Sequence, residues 1–450
     1  MFDTPRARWL TAVAAASLVP ALASCESAPS STIPDDVDTC KYAKSGQICT
    51  YIGNGTKGWD GDGHSLLKST LSTPWDVLTD EAGNLYITDW NNHRVRVAKA
   101  GKLQTVIGSY DPGDGDPEGE EFKPEGADGL TVALNHPTDM FFAQIDSPVA
   151  KKGQLVLTAW HNHRIRTFDP ASGKVFVTCG KAPGYVGDGE MLGKHTSFNQ
   201  PSHAIQDKAG NTYILDMRNW LVRKVAADKS VAKLAGKWGK PGGSEADEAA
   251  PVAATDAQFL FFDPAEWSNP YFAGGGLEVS DDGKKLYIAD TGNHRIRFVD
   301  LDKNTVETIA GSGANGCVDV AGTATACAND QPYHPRAGEF AGDGGQAKAA
   351  KLNLPTDLAW GPDGRLYFAD SGNDRVRAID LKTGIISTFA GGGNGGTTGD
   401  VQHPLKADKL GDGGAASAAS LNRPRGIHWD KAGNLWIADS YNNRIRKVVK

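Results

Sequence analysis

Leu421-Asn422-Arg423-Pro424, then Ala432-Gly433-Asn434-Leu435-Trp436-Ile437-Ala438-Asp439, then Asn442-Asn443-Arg444-Ile445-Arg446 form a passage that the chain repeats. Ala82-Gly83-Asn84-Leu85-Tyr86-Ile87-Thr88-Asp89 leads to Asn92-His93-Arg94-Val95-Arg96, and Leu286-Tyr287-Ile288-Ala289-Asp290 leads to Asn293-His294-Arg295-Ile296-Arg297. Looser copies run from Leu155 to Arg166, Tyr213 to Arg223 and Leu366 to Arg377, which makes six in all. Self-similarity at so long a period decides the architecture before any local feature does.

Within each copy, short runs of alternating apolar and polar residues are bounded by Gly, Asn, Asp and Pro, the pattern of half-buried strands joined by tight turns. The unit is all-β. Alone it hides neither its faces nor its edges, and radial repetition solves both problems, so six copies predict a six-bladed β-propeller. An apolar residue followed by Gly ends each blade: Ile52, Ile107, Cys179, Ala235, Ala310 and Ala390. The first of these precedes the first full copy, and the sixth copy stops at Lys450 without one. Ring closure is therefore expected from Gln47 to Ile52 adding the outer strand to the last blade.

The 450 residues carry a formal charge of −7, which offers phosphate backbones no basic footprint and speaks against nucleic acid as partner. Arg6 and Arg8 precede an apolar run from Leu10 to Leu22, too short for a mature membrane span and suited to a secretory signal. It ends in Leu22-Ala23-Ser24-Cys25, similar to a bacterial lipobox, with Cys25 as the lipidated mature N-terminus; ordinary cleavage near Ala23 is the alternative. The resemblance to Gram-negative lipoproteins implies the outer membrane, because Glu26 stands where an Asp would signal retention at the inner one, with the lipid as the only membrane contact. The expected organisation is residues 1–24 as lipoprotein signal peptide, 25–46 as flexible tether and 47–450 as a monomeric propeller. In an exported chain, Cys40 with Cys49 and Cys317 with Cys327 are the natural local disulfides, while Cys179 reads as a small buried residue.

These residues resemble NHL-repeat β-propellers, in the bacterial form with Gly-Asp-Gly-Gly ahead of Leu-Asn-x-Pro. Gly342-Asp343-Gly344-Gly345 precedes Leu352-Asn353-Leu354-Pro355, and the pattern recurs from Gly411 to Pro424. The third letter of the family's name is lost, because Asn92-His93, Asn162-His163 and Asn293-His294 are each followed by Arg. The resemblance implies the fold for roughly residues 47–450 and leaves function open, since sites are grafted onto folds.

Three features point to the face that carries the inter-blade links and the turns between second and third strands. Long Gly-rich insertions run from Tyr110 to Leu130, Gly313 to Ala341 and Gly392 to Leu410. Just after the blade-opening Pro stand Asp76, Asp139, His203, Glu266, Asp357 and Gly426, a ring at the channel mouth. Such a ring either recruits a hard cation such as calcium or caps backbone amides near the Pro. Trp75, Trp90, Trp160, Trp220 and Tyr441 form an aromatic arc, suited to a peptide or glycan surface or to packing under neighbouring loops. The leading reading is a surface-tethered module that binds a protein, peptide or glycan. The alternative is a metal-dependent enzyme similar to propeller lactonases or NHL-like peptide-amidating lyases, although the lyases' histidine set is missing. A last expectation concerns charge. The second strand ends in Asp89, Asp216, Asp290, Asp370 or Asp439, but in Ala159 in blade two. The third strand opens with Arg94, Arg164, Arg295, Arg375 or Arg444, but with Leu221 in blade three. Pairing each Asp with the first Arg of the following blade, as in Asp89 with Arg164, places both losses on one pair and predicts inter-blade ion pairs.

Overall fold

The computed structural model describes residues 38–109, 111–113, 115, 119–180, 183–185, 187, 190–192, 196–243, 250–261, 274–312, 317–318, 324–325, 334–335, 338–392, 405 and 407–450. They form a six-bladed propeller of antiparallel sheets. Blade one is Pro74–Thr79, Leu85–Asp89, Arg94–Lys99 and Lys102–Ile107, from the axis outward. The Pro that opens five of the six inner strands is placed where its missing N–H costs no ladder bond. Inner strands touch one another in order around the axis. Short strands Ala127–Asp128, Glu190–Met191 and Val252–Ala253, contributed by the inter-blade links, cover the outer edges of blades two, three and four.

Closure occurs as the two chain ends require: Ile48–Ile52 pairs antiparallel with Arg444–Val448 and completes the sheet that begins at Pro424–Trp429. A register shift between Thr50 and Ile52 turns Ile48 and Ile52 to opposite faces, so Ile48 packs with Tyr367 and Ile427 while Ile52 packs with Leu71 and Val77. Cys40 and Cys49 form a disulfide. Residues 38–46, read from the sequence as the end of the tether, are held against this blade, with Gly46 N–H donating to Val449 O at 2.8 Å. Cys25 and the side chains of Cys317 and Cys327 lie outside the described residues. Cys179 is fully buried.

The ion pairs differ from those expected. Each Asp pairs within its own blade, and with the second Arg of the run: Asp89 with Arg96 at 3.3 Å, Asp216 with Arg223 at 3.4 Å and Asp290 with Arg297 at 3.3 Å. Asp370 with Arg377 and Asp439 with Arg446 complete the set at 3.1 and 3.0 Å. The reason is pleat geometry. In the register the first Arg lies directly opposite the Asp, Arg94 against Asp89, so it is the second that can fold back over the sheet. The Gly-Asp-Gly turn supplies a second carboxylate to the same guanidinium, from Asp62, Asp343 or Asp412. Leu221 therefore costs blade three nothing.

Blade-to-blade register is carried by a different residue, the one after the Asn of the signature. His93, His163, His294, Asp374 and Asn443 all sit in the left-handed region, at φ 50–56°. Each accepts the backbone N–H just before the next blade's opening Pro: His93 Nδ1 from His136, His163 Nδ1 from Gln200 and His294 Nδ1 from Leu354. Asp374 accepts from Arg423 and Asn443 from Thr73, which carries the series across the closure. A short polar side chain suits both demands, because it tolerates positive φ and satisfies an otherwise buried amide. In blade three the position is Trp220, whose indole N–H is a donor and offers no such acceptor.

Candidate functional site

Inner strands bring Asp76, Asp139, His203 and Asp357 together around a cavity of about 180 Å³ on the propeller axis. Glu266 lies outside the described residues, and the fourth blade's carboxylate in this cavity is Glu278. The inner strand of that blade is Leu277–Val279, and Gly276 pairs where the other blades place Asp76 or His203. A Cβ on Gly276 would lie 2.9 Å from Asp357 Cα, and one on Gly426 would lie 2.6 Å from Asp76 Cα. Both glycines thus admit close approach of the next inner strand. Counting back from Asp290 by the thirteen residues that separate Asp89 from Asp76 reaches only Leu277, so the repeat gives no direct signal for Glu278.

The carboxylates hold the ring of inner strands together. Asp76 accepts Val77 N–H at 2.7 Å and, from the next blade, Met140 N–H at 3.0 Å. Asp139 accepts Ala204 N–H at 2.8 Å, and Asp357 accepts Leu358 and Ile427 N–H at 2.7 and 2.8 Å. The amide caps, one of the two arrangements open from the sequence, are thus present and extend from one blade to the next. Among the described residues, no three His, Cys, Asp or Glu side chains form a group able to hold a metal ion. His203 Nε2 crosses the axis to Asp139 at 3.1 Å and Asp357 at 3.2 Å. Burial opposes its charge, but the carboxylates of Asp139 and Asp357 outweigh burial and raise it to about 9. Burial raises Glu278 to about 8 and Asp139 to about 6, and it holds Asp76 well above the ordinary carboxyl range.

The aromatic arc is placed together but not at the surface. Trp75, Trp90, Trp160 and Tyr441 are buried and Trp220 is half-buried, which corrects the expected exposure. Trp75 stacks on Trp90 with centroids 5.0 Å apart, and one apolar cluster runs from them through Trp160 and Met217 to Leu277 of the fourth blade. The wide opening is on the opposite face, formed by the hairpins between first and second strands. A cavity of about 730 Å³ lies there, lined by Phe142, Gln144, Lys152, His428, Trp429 and Lys431 among others. His428 also lines the axial cavity. Exposed aromatics that the repeats did not reveal include Trp238 and, each beneath a guanidinium at 4.0 Å, Trp59 under Arg94 and Phe340 under Arg375, all on inter-blade links.

A profile of the Teneurin NHL domain matches residues 42–300, 298–380 and 386–450. The chain belongs to that family. It is 26% identical to NHL repeat-containing protein 2 of Gallus gallus over 307 residues, 67% of this chain and 37% of that one. With Teneurin-4 of Mus musculus it shares 25% over 333 residues, 73% of this chain and 8% of that one. The chain therefore spans little more than a third, or far less, of the relatives it matches. Among solved structures, an auxiliary nutrient binding protein from Bacteroides ovatus superposes with TM-score 0.55 at 16% identity, covering 90% of this chain and 76% of that one. At that identity the likeness is one of fold.

The buried cluster of this NHL propeller makes stability depend on pH. Glu278, ordinarily 4.5, and His203, ordinarily 6.5, both bind their protons more tightly folded than unfolded. Their stabilisation is complete below the unfolded values and is lost as pH rises through about 8 and about 9. Asp216 and Asp374, raised by burial to about 7, act in the same sense. Burial lowers His93 and His428 to about 4, which acts in the opposite sense but only below pH 6.5. Between pH 7 and 9 the melting temperature should fall, on the order of 5 °C. Glu278→Gln should flatten part of that slope, and a melting temperature that rises over this window would refute the buried protons.

Proposed function

We propose that this chain is a non-enzymatic binding module that takes a glycan, or a peptide or protein segment, in the cavity of the hairpin face. The observation that supports it is that cavity: about 730 Å³, with Phe142 and Trp429 as apolar walls and Asp80, Glu81, Lys152 and Lys431 as charges of both signs. Apolar walls with a few polar groups are the common form of a small-ligand site. Burial withdraws Trp90 and Trp160 from ligand contact on the opposite face. The binding role of the fold neighbours is proposed here for this chain as well.

Arrays of defined oligosaccharides and peptides provide the probes. Ala82 lines the cavity and is exposed, so Ala82→Trp fills the space without removing any packing. For whichever probe binds the wild type, it should weaken binding by about tenfold or more at unchanged melting temperature, while Trp59→Ala on the opposite face should not. Equal affinity in Ala82→Trp would place the ligand elsewhere. We further propose that lipid on Cys25 tethers the module to the outer membrane, a reading supported by the Leu22-Ala23-Ser24-Cys25 sequence and by Glu26. Cys25→Ser should then leave the membrane fraction, and its retention there would end the tether proposal.

A further inference from the structure

Blade two brings two imidazoles and an amide together at the start of its inner strand. His136 Nδ1 lies 2.8 Å from Asn135 Oδ1 and 3.0 Å from His161 Nδ1, and His161 Nδ1 lies 3.4 Å from Asn135 Oδ1. All three atoms are lone-pair donors when both imidazoles are neutral and carry their proton on Nε2. We propose that these three atoms form a site for one divalent cation of the zinc class.

Metal–ligand bonds of about 2.1 Å imply ligand atoms roughly 3–3.5 Å apart, the spacing of this triangle. Imidazole nitrogen suits zinc, copper and nickel, whereas a site for calcium would be built from oxygen. The corresponding places in other blades do something different. Asn91 Nδ2 meets Ser72 Oγ at 3.1 Å in blade one, and Arg218 Nε donates to Gln200 Oε1 at 2.8 Å in blade three. There a donor faces an acceptor; in blade two His161 stands in place of Asn91 and Arg218, His136 in place of Gln200, and Asn135 in place of Ser72. Their rings are held in place for the purpose. Trp160 stacks on His161 with centroids 3.8 Å apart, and Trp90 lies 4.2 Å from His136. His161 and Asn135 are half-buried, which leaves an ion a way in. The site stands apart from the axial cavity and does not depend on what the hairpin face binds.

The competing arrangement turns the Asn135 amide so that its NH₂ donates to both ring nitrogens, and it needs no metal. Calorimetric titration of the chelator-stripped protein with Zn²⁺ separates the two. The expected result is one equivalent bound, weakened about tenfold or more in His161→Ala. Bound zinc should also raise the melting temperature of the wild type, since only the folded chain binds it. Co²⁺ should give visible ligand-field bands and quench tryptophan fluorescence, with less quenching in Trp160→Phe. His64 is exposed and outside the triangle, so His64→Ala should bind as the wild type does. If His161→Ala does not fold, His161→Phe keeps the stack on Trp160 and takes its place. No saturable binding below about 100 μM, or binding that loss of the His161 imidazole leaves unchanged, overturns the proposal in favour of the turned amide.

Discussion

Deleting residues up to Ile52 is expected to abolish cooperative folding, even though the other strands of the propeller remain in the chain. Ile48, Cys49 and Ile52 are fully buried, and each fully buried aliphatic side chain is worth about 1.5–3 kcal/mol. The ladder to Arg444–Val448 adds about 0.5–1.5 kcal/mol for each hydrogen bond lost. Set against a total stability of about 5–15 kcal/mol, these losses alone remove most of the margin. The loss also spreads, because Ile48 belongs to the cluster shared with blade five and Ile52 to the cluster shared with blade one. Without the strand, blade six presents a bare edge and both of its interfaces are incomplete. Calorimetry of residues 40–450 against 53–450 provides the comparison. A single sharp transition in the shorter chain, within a few degrees of the longer one, would show that closure by the N-terminal strand is dispensable.

The fold was legible because every copy states it again. Alternation in the strands, Pro at the inner-strand start and the offset between the first apolar-Gly pair and the last copy each constrain the same architecture, and the closing strand follows from the offset alone. The side chains were legible by type and not by partner. Arg94 and Arg96 are two residues apart and so project from the same side of one strand; only the register, with Arg94 directly opposite Asp89, decides which of them reaches back. The ring residues were found wherever the Pro was present and missed where it was absent, since blade four opens its inner strand after three glycines. Exposure was the hardest to read. A tryptophan in a turn looks solvent-facing, yet Trp90 and Trp160 are buried, Trp90 against Trp75 and His136 and Trp160 against His161, because neighbouring blades bring these rings together across long sequence separations.

Blade two shows how a missing signature residue is made good, and the compensation predicts a large effect from a loop position. Ala159 stands where the other blades have the Asp, so the guanidinium group of Arg166, 0% exposed, lacks that carboxylate, and Arg164 beside it is 2% exposed. Glu121, from the link between blades one and two, replaces it. It accepts Arg164 Nη1 at 2.8 Å, Arg166 Nε at 2.7 Å and Arg166 Nη2 at 2.9 Å, and is itself 6% exposed. Asn162 accepts the Asn135 N–H at 2.9 Å, as Asp89 accepts the Ser72 N–H at 2.7 Å in blade one. Removing one partner of a buried ion pair costs about 3–5 kcal/mol, because the charge left behind has neither water nor a counter-ion. Glu121→Ala should therefore lower stability by about that amount, whereas Glu120→Ala, at a side chain 67% exposed, should change it by less than about 0.5 kcal/mol. Restoring the carboxylate from the strand tests the cause. Ala159→Asp in the Glu121→Ala background should recover a substantial part of the loss, since Asp89 reaches Arg96 from the same register position in blade one. Denaturant unfolding of the four proteins measures this. Equal stability of Glu121→Ala and Glu120→Ala would show that the guanidinium pair does not need its carboxylate, and a double variant no better than Glu121→Ala would show that the strand position cannot supply one.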